Sequence, residues 1–346
     1  MKQVSIRHLN FRLNPYSMIT SSRPAEKNKY YKKNMPLPVL PPRLRPGDTV
    51  GVICPAGPVR NQARLEKGLQ ILRDLNLRVR HYHPDNSGPE YLAADDEQRI
   101  KQFYQLWNDD EVKALISSRG GYGCLRIIGK MNLDLLRSRP KWLIGFSDLT
   151  VLLNGIFAAT NMVTLHGPMV TTLANTDQFS FQRFKEALSG EFRPLAPTKD
   201  FEILRSGTGQ GRLAGGNLTT LTHLIGTPWQ PQLSGRVLFL EDTGEPLYKL
   251  DRMLTHLACC GLLDNLAGLI LGVFDPGHYD RLEMIRLNEQ VWNRVLELTQ
   301  GGAYPIWGGL PIGHQQGNVA LPVGMEAVME SSIGTLNFLP QSCQTA

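Results

Sequence analysis

The sequence predicts an α/β fold, with a parallel sheet of βαβ units in its N-terminal part. Two observations carry this prediction. Short apolar runs alternate with helical patterns of ten or more residues. Strands so separated pair in parallel, because a helical crossover lies between them. Two of the runs also end in glycine-bearing turns, Arg119-Gly120-Gly121-Tyr122-Gly123 and Gly145-Phe146-Ser147-Asp148. In open parallel sheets, sites lie beyond the carboxyl ends of the strands, so one cleft can hold both turns.

The elements follow in order. Residues 35–46 carry Pro36, Pro38, Pro41, Pro42 and Pro46 and read as extended chain. Residues 48–54 form a buried-strand pattern ended by Pro55-Ala56-Gly57-Pro58. Leu65, Leu69, Leu72 and Leu75 recur at helical spacing. Residues 77–81 are a short strand, and Asp95-Asp96 caps a helix through Trp107. Residues 112–117 are a strand, followed by the glycine turn and a helix to about Gly129. The Ser147 strand and helix come next, then a short strand at 163–166. Residues 189–211, with Pro194, Pro197, Gly207, Gly209 and Gly211, read as a linker. Beyond it lie Gly215-Gly216-Asn217, a helix through Ile225, a strand at 237–240 and an amphipathic helix at 247–258. A buried strand at 266–273, a helix at 287–298 and an apolar segment at 319–323 complete the pattern. The domains are therefore 46–188 and 212–340, preceded by a leader at 1–45 that reads as disordered.

The chain has 346 residues, 42% of them apolar and 20% charged, enough for two domains and a sizeable core. The formal net charge is +6, but residues 1–34 hold eight Lys/Arg against one acid, Glu26. The rest has 29 basic and 30 acidic residues, so the body is near neutral and no nucleic-acid partner is expected. The leader has no continuous apolar core and makes a poor secretory signal; it reads as a tail, or as sequence upstream of a start at Met35. No apolar run approaches the roughly 18–20 residues of a membrane span. Five cysteines without metal spacing suit a reducing cytoplasm.

The Ser147 turn joins an apolar strand to a helix. Such a turn exposes a serine hydroxyl, with the next amide, that of Asp148, aimed at a developing oxyanion. Ser147 is the candidate nucleophile, and it needs a base and a carboxylate to orient that base. Glu241 ends the strand 237–240; a helix-capping or surface role suits Asp242 and Glu245 better. His314 lies in the polar loop Gly313-His314-Gln315-Gln316-Gly317-Asn318, and His166 ends another strand; the pattern leaves the two open as base. His223 and His256 fall in helical patterns. The glycine turn can offer bare amides to a substrate or to phosphate. Arg126 denies it a dinucleotide fingerprint, and Cys124 and Met131 deny it a Walker loop. Cys124 as nucleophile competes with simple burial. There is no His-Glu-x-x-His, and His81-x-His83 is weak as a zinc signature.

Together these pieces resemble the LD-carboxypeptidase family of serine peptidases, the muramoyltetrapeptide carboxypeptidases. The resemblance runs through Val52-Ile53-Cys54-Pro55-Ala56-Gly57, the 119–123 turn, Gly145-Phe146-Ser147-Asp148 and Leu165-His166-Gly167-Pro168-Met169. It continues through Gly215-Gly216-Asn217-Leu218, Ile225-Gly226-Thr227-Pro228-Trp229, Leu240-Glu241-Asp242 and Gly313-His314. It implies a flavodoxin-like parallel-sheet domain, a smaller sheet-rich C-terminal domain and a site between them. It also implies a Ser147, Glu241, His314 triad, which selects His314 over His166. Leu149 stands where Gly-x-Ser-x-Gly has its last glycine, which speaks against the ordinary α/β-hydrolases.

The resemblance further implies hydrolysis of the bond between meso-diaminopimelate and a terminal D-alanine in murein tetrapeptides. The reaction serves peptidoglycan recycling, in a cytoplasmic homodimer, with no metal or organic cofactor. The amides of Asp148 and Gly121 are expected to hold the oxyanion. Arg119 is a candidate for the peptide carboxylate, against a structural salt bridge. Asn217 and Trp229 match motifs expected near the cleft. Microcin-C immunity peptidases, which cut an aminoacyl-adenylate mimic, share the triad. A phosphate- or nucleotide-binding module using the glycine turn is the non-enzymatic alternative.

Overall fold

The computed structural model describes residues 36–82, 89–277 and 280–346. The leader through Met35, together with His83 and His278, lies outside the described residues. The proline-rich segment is extended, and β1 (Val39–Leu40) within it pairs in parallel with β15 (Gln344–Thr345).

The first sheet contains β2 (Thr49–Ile53), β3 (Arg78–His81), β4 (Val112–Ser117), β5 (Trp142–Gly145) and β6 (Thr164–His166). All five run parallel, and helices separate most successive strands. Every residue of β2, β5 and β6 is buried, as expected of strands covered on both faces. The second sheet contains β7 (Glu202–Arg205), β8 (Thr208–Asn217), β9 (Val237–Thr243), β10 (Gly268–Asp275) and β11 (Ile306–Gly308). It also takes in β13 (Glu326–Glu330) and β14 (Thr335–Phe338), in the order β14-β13-β8-β9-β10-β11-β7. Its centre, β8 to β11, is parallel, and β7, β13 and β14 are antiparallel additions. The fold class is the expected one: a parallel-sheet α/β domain and a second sheet domain.

Two expectations need correction. The stretch 189–211 is not only connection, since β7 and the start of β8 lie in it. Its glycines answer to close backbone approach: a Cβ on Gly209 would stand 1.8 Å from the Ala267 carbonyl oxygen, and one on Gly211 2.2 Å from that of Gly235. Nor does 212–340 stay within one sheet. After the second sheet is largely built, β12 (Leu321–Val323) returns to pair antiparallel with β6, at the edge of the first.

The helix Thr150–Thr160 lies at the junction. It is apolar nearly all round and packs on β5, β6, β8 and β12. Its one buried amide makes the joint specific: Asn154 Nδ2 donates to the Gly215 carbonyl (2.8 Å), and Asn154 Oδ1 accepts from the Gly215 N–H (3.0 Å). One turn earlier, Thr150 Oγ1 accepts from the Asn217 N–H at 3.0 Å. Gly216 has φ +135°, and a Cβ there would lie 2.4 Å from Thr150 Oγ1, so this contact requires glycine. Among the described residues no helix is long and apolar enough to cross a membrane.

Replacing Asn154 by Ala would strand both backbone groups of Gly215 in the interior. Each buried group left unpaired costs about 1–3 kcal/mol. Urea unfolding should therefore show Asn154→Ala destabilised by about 2–4 kcal/mol; a change within 0.5 kcal/mol or so would mean that this joint is not specific.

Candidate active site

The strand β5 is apolar to its end, and the chain then turns sharply. Phe146 is extended, Ser147 begins a single 3₁₀ turn, and the helix follows from Thr150. Ser147 has φ +63°, in the left-handed region that a non-glycine residue rarely occupies. Such strain at a strand-to-helix turn is what presents a serine hydroxyl at the sheet end. That hydroxyl forms no hydrogen bond with the described residues, and a bond to the base often closes only with substrate.

The glycine turn lies directly against the serine. A Cβ on Gly120 would stand 2.8 Å from both Cβ and Oγ of Ser147, so only glycine fits. The Gly120 carbonyl accepts from the Gly57 amide at 3.1 Å, which pins the turn to the loop after β2. Gly121 and Gly123 have φ +122° and +134°. No acceptor among the described residues takes the amides of Gly121 or Asp148. The Asp148 carboxylate joins the two turns from beneath: its Oδ2 accepts from the Cys124 amide at 2.8 Å. Burial raises the Asp148 carboxyl, while its hydrogen bonds from Cys124 and the charges of Arg99 and His223 oppose the rise. Cys124 itself is fully buried, and burial with the Asp148 charge holds its thiol well above its ordinary range, so it is no nucleophile.

Glu241 ends its apolar run fully buried, and His314 Nδ1 donates to Glu241 Oε2 at 2.8 Å. Gly313 allows this approach, because a Cβ on it would meet Glu241 Oε2 at 2.9 Å. The His314 ring lies 4.8 Å, centroid to centroid, from the Phe146 ring, which brings it beside the serine turn. Binding Nδ1 to a carboxylate fixes the tautomer and leaves Nε2 as the basic nitrogen. Burial pulls the His314 pKa down, but the charge and hydrogen bond of Glu241, with Asp242 and Asp275, more than reverse this and raise it. His166, the rival base, is fully buried, and burial pushes it down to about 4 against the pull of Glu241.

Arg119 is half-buried and donates from Nη1 to the Pro58 carbonyl at 2.9 Å. Burial and the neighbouring Arg60 charge lower its pKa, and it forms no ion pair with a described carboxylate. Asn217 and Trp229 both have partners within the fold. Asn217 Oδ1 accepts from the Thr220 amide, and its Nδ2 donates to Asp242 Oδ1 at 3.0 Å, which leaves it capping a helix inside the fold. Trp229 packs on Gly129, just past the helix Cys124–Ile128, and on Gly155, midway along the helix Thr150–Thr160; it is 2.8 Å from where a Gly129 Cβ would stand and 3.3 Å from that of Gly155. The sequence reading missed the Asp148 side chain and Asn318. The only signal for either was a polar residue within a quoted motif.

Two domain families account for most of the chain: LD-carboxypeptidase N-terminal domain matches residues 50–167, and LD-carboxypeptidase C-terminal domain matches 210–329. A Bacillus subtilis protein named "probable murein peptide carboxypeptidase" is 34% identical over 304 residues, covering 84% of this chain and 92% of its own. The crystal structure of muramoyltetrapeptide carboxypeptidase from Oxalobacter formigenes superposes with a TM-score of 0.71 at 30% identity, covering 84% of this chain and 97% of that one. The microcin C7 self-immunity protein MccF of Escherichia coli is 24% identical over 341 residues, 89% of this chain and 98% of its own. The chain belongs to the LD-carboxypeptidase family and is a peptidase of the carboxypeptidase type.

A base works only when neutral. With its pKa raised above the ordinary value of about 6.5, the His314 ring is neutral, and so able to accept a proton, above that raised value and becomes charged as pH falls through it. The acid limb of kcat/KM should therefore have its midpoint above about 6.5. Glu241→Gln removes the main raising charge and leaves burial in place. Its acid limb should move down in pH, with kcat reduced by up to about 10⁴-fold as the tautomer is freed. A pH–rate profile checks both; an unmoved limb in the variant would contradict the pairing.

Proposed function

We propose that the chain is a serine-type LD-carboxypeptidase that releases the terminal D-alanine of murein tetrapeptides by cleaving the meso-diaminopimelate–D-alanine bond. The observation that carries this reading is the Glu241–His314 pair beside the strained Ser147, next to a turn whose Gly121 amide has no acceptor among the described residues. His314 Nε2 takes the Ser147 proton, and Oγ attacks the diaminopimelate carbonyl. The amides of Asp148 and Gly121 receive the oxyanion; one such donor is worth about 3–4 kcal/mol in the transition state. His314 then protonates the departing D-alanine nitrogen and later activates water to release the acyl group. Glu241 holds the imidazole and supports its charge. The residues alone account for each step, and turnover should be indifferent to EDTA.

The microcin-type reading is weaker, since identity is 24% to that immunity protein against 34% and 30% to the two murein carboxypeptidases. Mass spectrometry of a synthetic tetrapeptide ending in meso-diaminopimelate-D-alanine decides. Loss of one D-alanine is expected from the wild type and none from Ser147→Ala, with unchanged circular dichroism. An intact peptide with wild type, or turnover near normal in Ser147→Ala, would end the proposal.

Arg119 suits the peptide carboxylate. It is a partly desolvated cation without an acid partner among the described residues, and its Nη2 lies 3.8 Å from where a Gly121 Cβ would stand, next to the proposed oxyanion amide. Arg119→Ala should raise KM roughly 10–100-fold, in line with the 1.5–3 kcal/mol typical of a charged hydrogen bond. Amidating the peptide terminus should cost the wild type a similar factor and cost Arg119→Ala little. Equal losses in both would assign the carboxylate elsewhere.

A further inference from the structure

We propose that His166 is a positioning residue that holds the His314 loop in register with the Ser147 turn, through Asn318. The inference rests on the serine-peptidase reading above. Its basis is a continuous hydrogen-bonded path between the two halves of the site. The Gly167 amide donates to the Gly145 carbonyl at 3.1 Å, which locks the end of β6 to the end of β5 just before Phe146 and Ser147. His166, one residue before Gly167, shares a 3.1 Å hydrogen bond between its Nε2 and Asn318 Oδ1. Asn318 Oδ1 also accepts from the Gly313 amide at 3.1 Å, and Gly313 precedes His314. Nucleophile and base thus stand at the two ends of one chain of short polar contacts.

The chemistry fixes the direction of each bond. A backbone N–H can only donate, so the atom that meets Gly313 must be the amide oxygen of Asn318, and the amide cannot be flipped. The same oxygen faces His166, so His166 Nε2 must carry the proton and donate it. Burial keeps the ring neutral, with one N–H to give. The ring is held edge-on between Phe146, at 5.8 Å, and Phe239, at 5.1 Å, and has no freedom to turn. Backbone pairing supports the path, since Leu321 of β12 registers with His166 itself, three residues beyond Asn318. The Asn318 side chain is 3% exposed, so water competes poorly for its oxygen. His166 touches no reacting atom; it acts on where His314 stands.

The test compares His166→Phe, which removes the donor, with His166→Gln, whose Nε2 can replace it. Asn318→Ala breaks the link from the other end. The readouts on the full chain are kcat and KM with the synthetic tetrapeptide, and the rate at which a small fluorophosphonate labels Ser147. His166→Phe and Asn318→Ala should each lower kcat and labelling rate at least tenfold, with KM within threefold of wild type. His166→Gln should recover most of the loss, and the double variant His166→Phe/Asn318→Ala should be no slower than either single one. A kcat within twofold of wild type for folded His166→Phe, or losses that multiply in the double variant, would overturn the proposal. Should His166→Phe not fold, Asn318→Ala with kcat within twofold overturns it equally. Failure of the wild type to label at Ser147 would remove the serine reading and this inference with it, whereas equal labelling of wild type and variants removes only the inference.

Discussion

A fully buried carboxylate within β9, Glu241, constrains the rest of the site. Glu241 has no water to solvate it, and a buried charge left unpaired costs several kcal/mol. One of its oxygens meets His314 Nδ1, and the other has no partner among the described residues. Most of the compensation therefore falls on one hydrogen bond, and the His314 loop must come to it. Asp242, the next residue, takes the opposite face of the strand, as alternation requires. There it accepts from the Thr219 amide and hydroxyl and from the Asn217 side chain. Burial and the adjacent Glu241 charge push Asp242 up to about 6, and the hydrogen bonds resist that rise. Two neighbouring acids are tolerable because the pleat separates their roles, one facing the base and one capping a helix.

The second constraint is the joint between the sheets. β8 and β9 register Asn217 opposite Glu241, and the Asn217 amide reaches Thr150 at the start of the helix that follows Ser147. The strand that carries Glu241 is thereby tied to the helix that follows Ser147. The return of β12 to the first sheet closes the arrangement from the other side, with His314 on the loop that makes the crossing. Both ties use backbone groups, so the relative placement of the three side chains depends little on their own flexibility.

Local patterns explain what could be read in the sequence. The strand at 142–145 is a continuous apolar run and that at 112–117 is apolar but for Lys113 and Ser117, and Asp95 caps its helix through the Gln98 amide as the Asp95-Asp96 pair suggests. Asp242 and Glu241 were separable by position at a strand end, and the expected contrast between a capping acid and a buried one is present in the geometry. What depends on distant partners was not legible. Asn217 stands in a glycine-rich motif and registers opposite Glu241, but that both ends of its side-chain amide go to Thr220 and Asp242 has no sequence signal. The glycines of 207–211 read as flexible, whereas at 209 and 211 they are the consequence of carbonyl groups on neighbouring chain segments. The crossing of β12 has no local signature at all, because an antiparallel edge strand of three residues looks the same in either sheet.

Other glycines explain why so many short motifs were each weak and together specific. At Gly120 the missing side chain leaves room for Ser147, at Gly313 for Glu241, and at Gly216 for Thr150. In each case a backbone comes within van der Waals distance of a functional or supporting group, and any Cβ would have to displace it. A fold that positions its site by backbone contact needs glycine at several points far apart in the chain, and each point shows only two or three recognisable letters. Alanine at these positions would add a single carbon, but it would push directly on Ser147, Glu241 or Thr150. The precision of the site therefore resides as much in absent side chains as in the serine, glutamate and histidine that they accommodate.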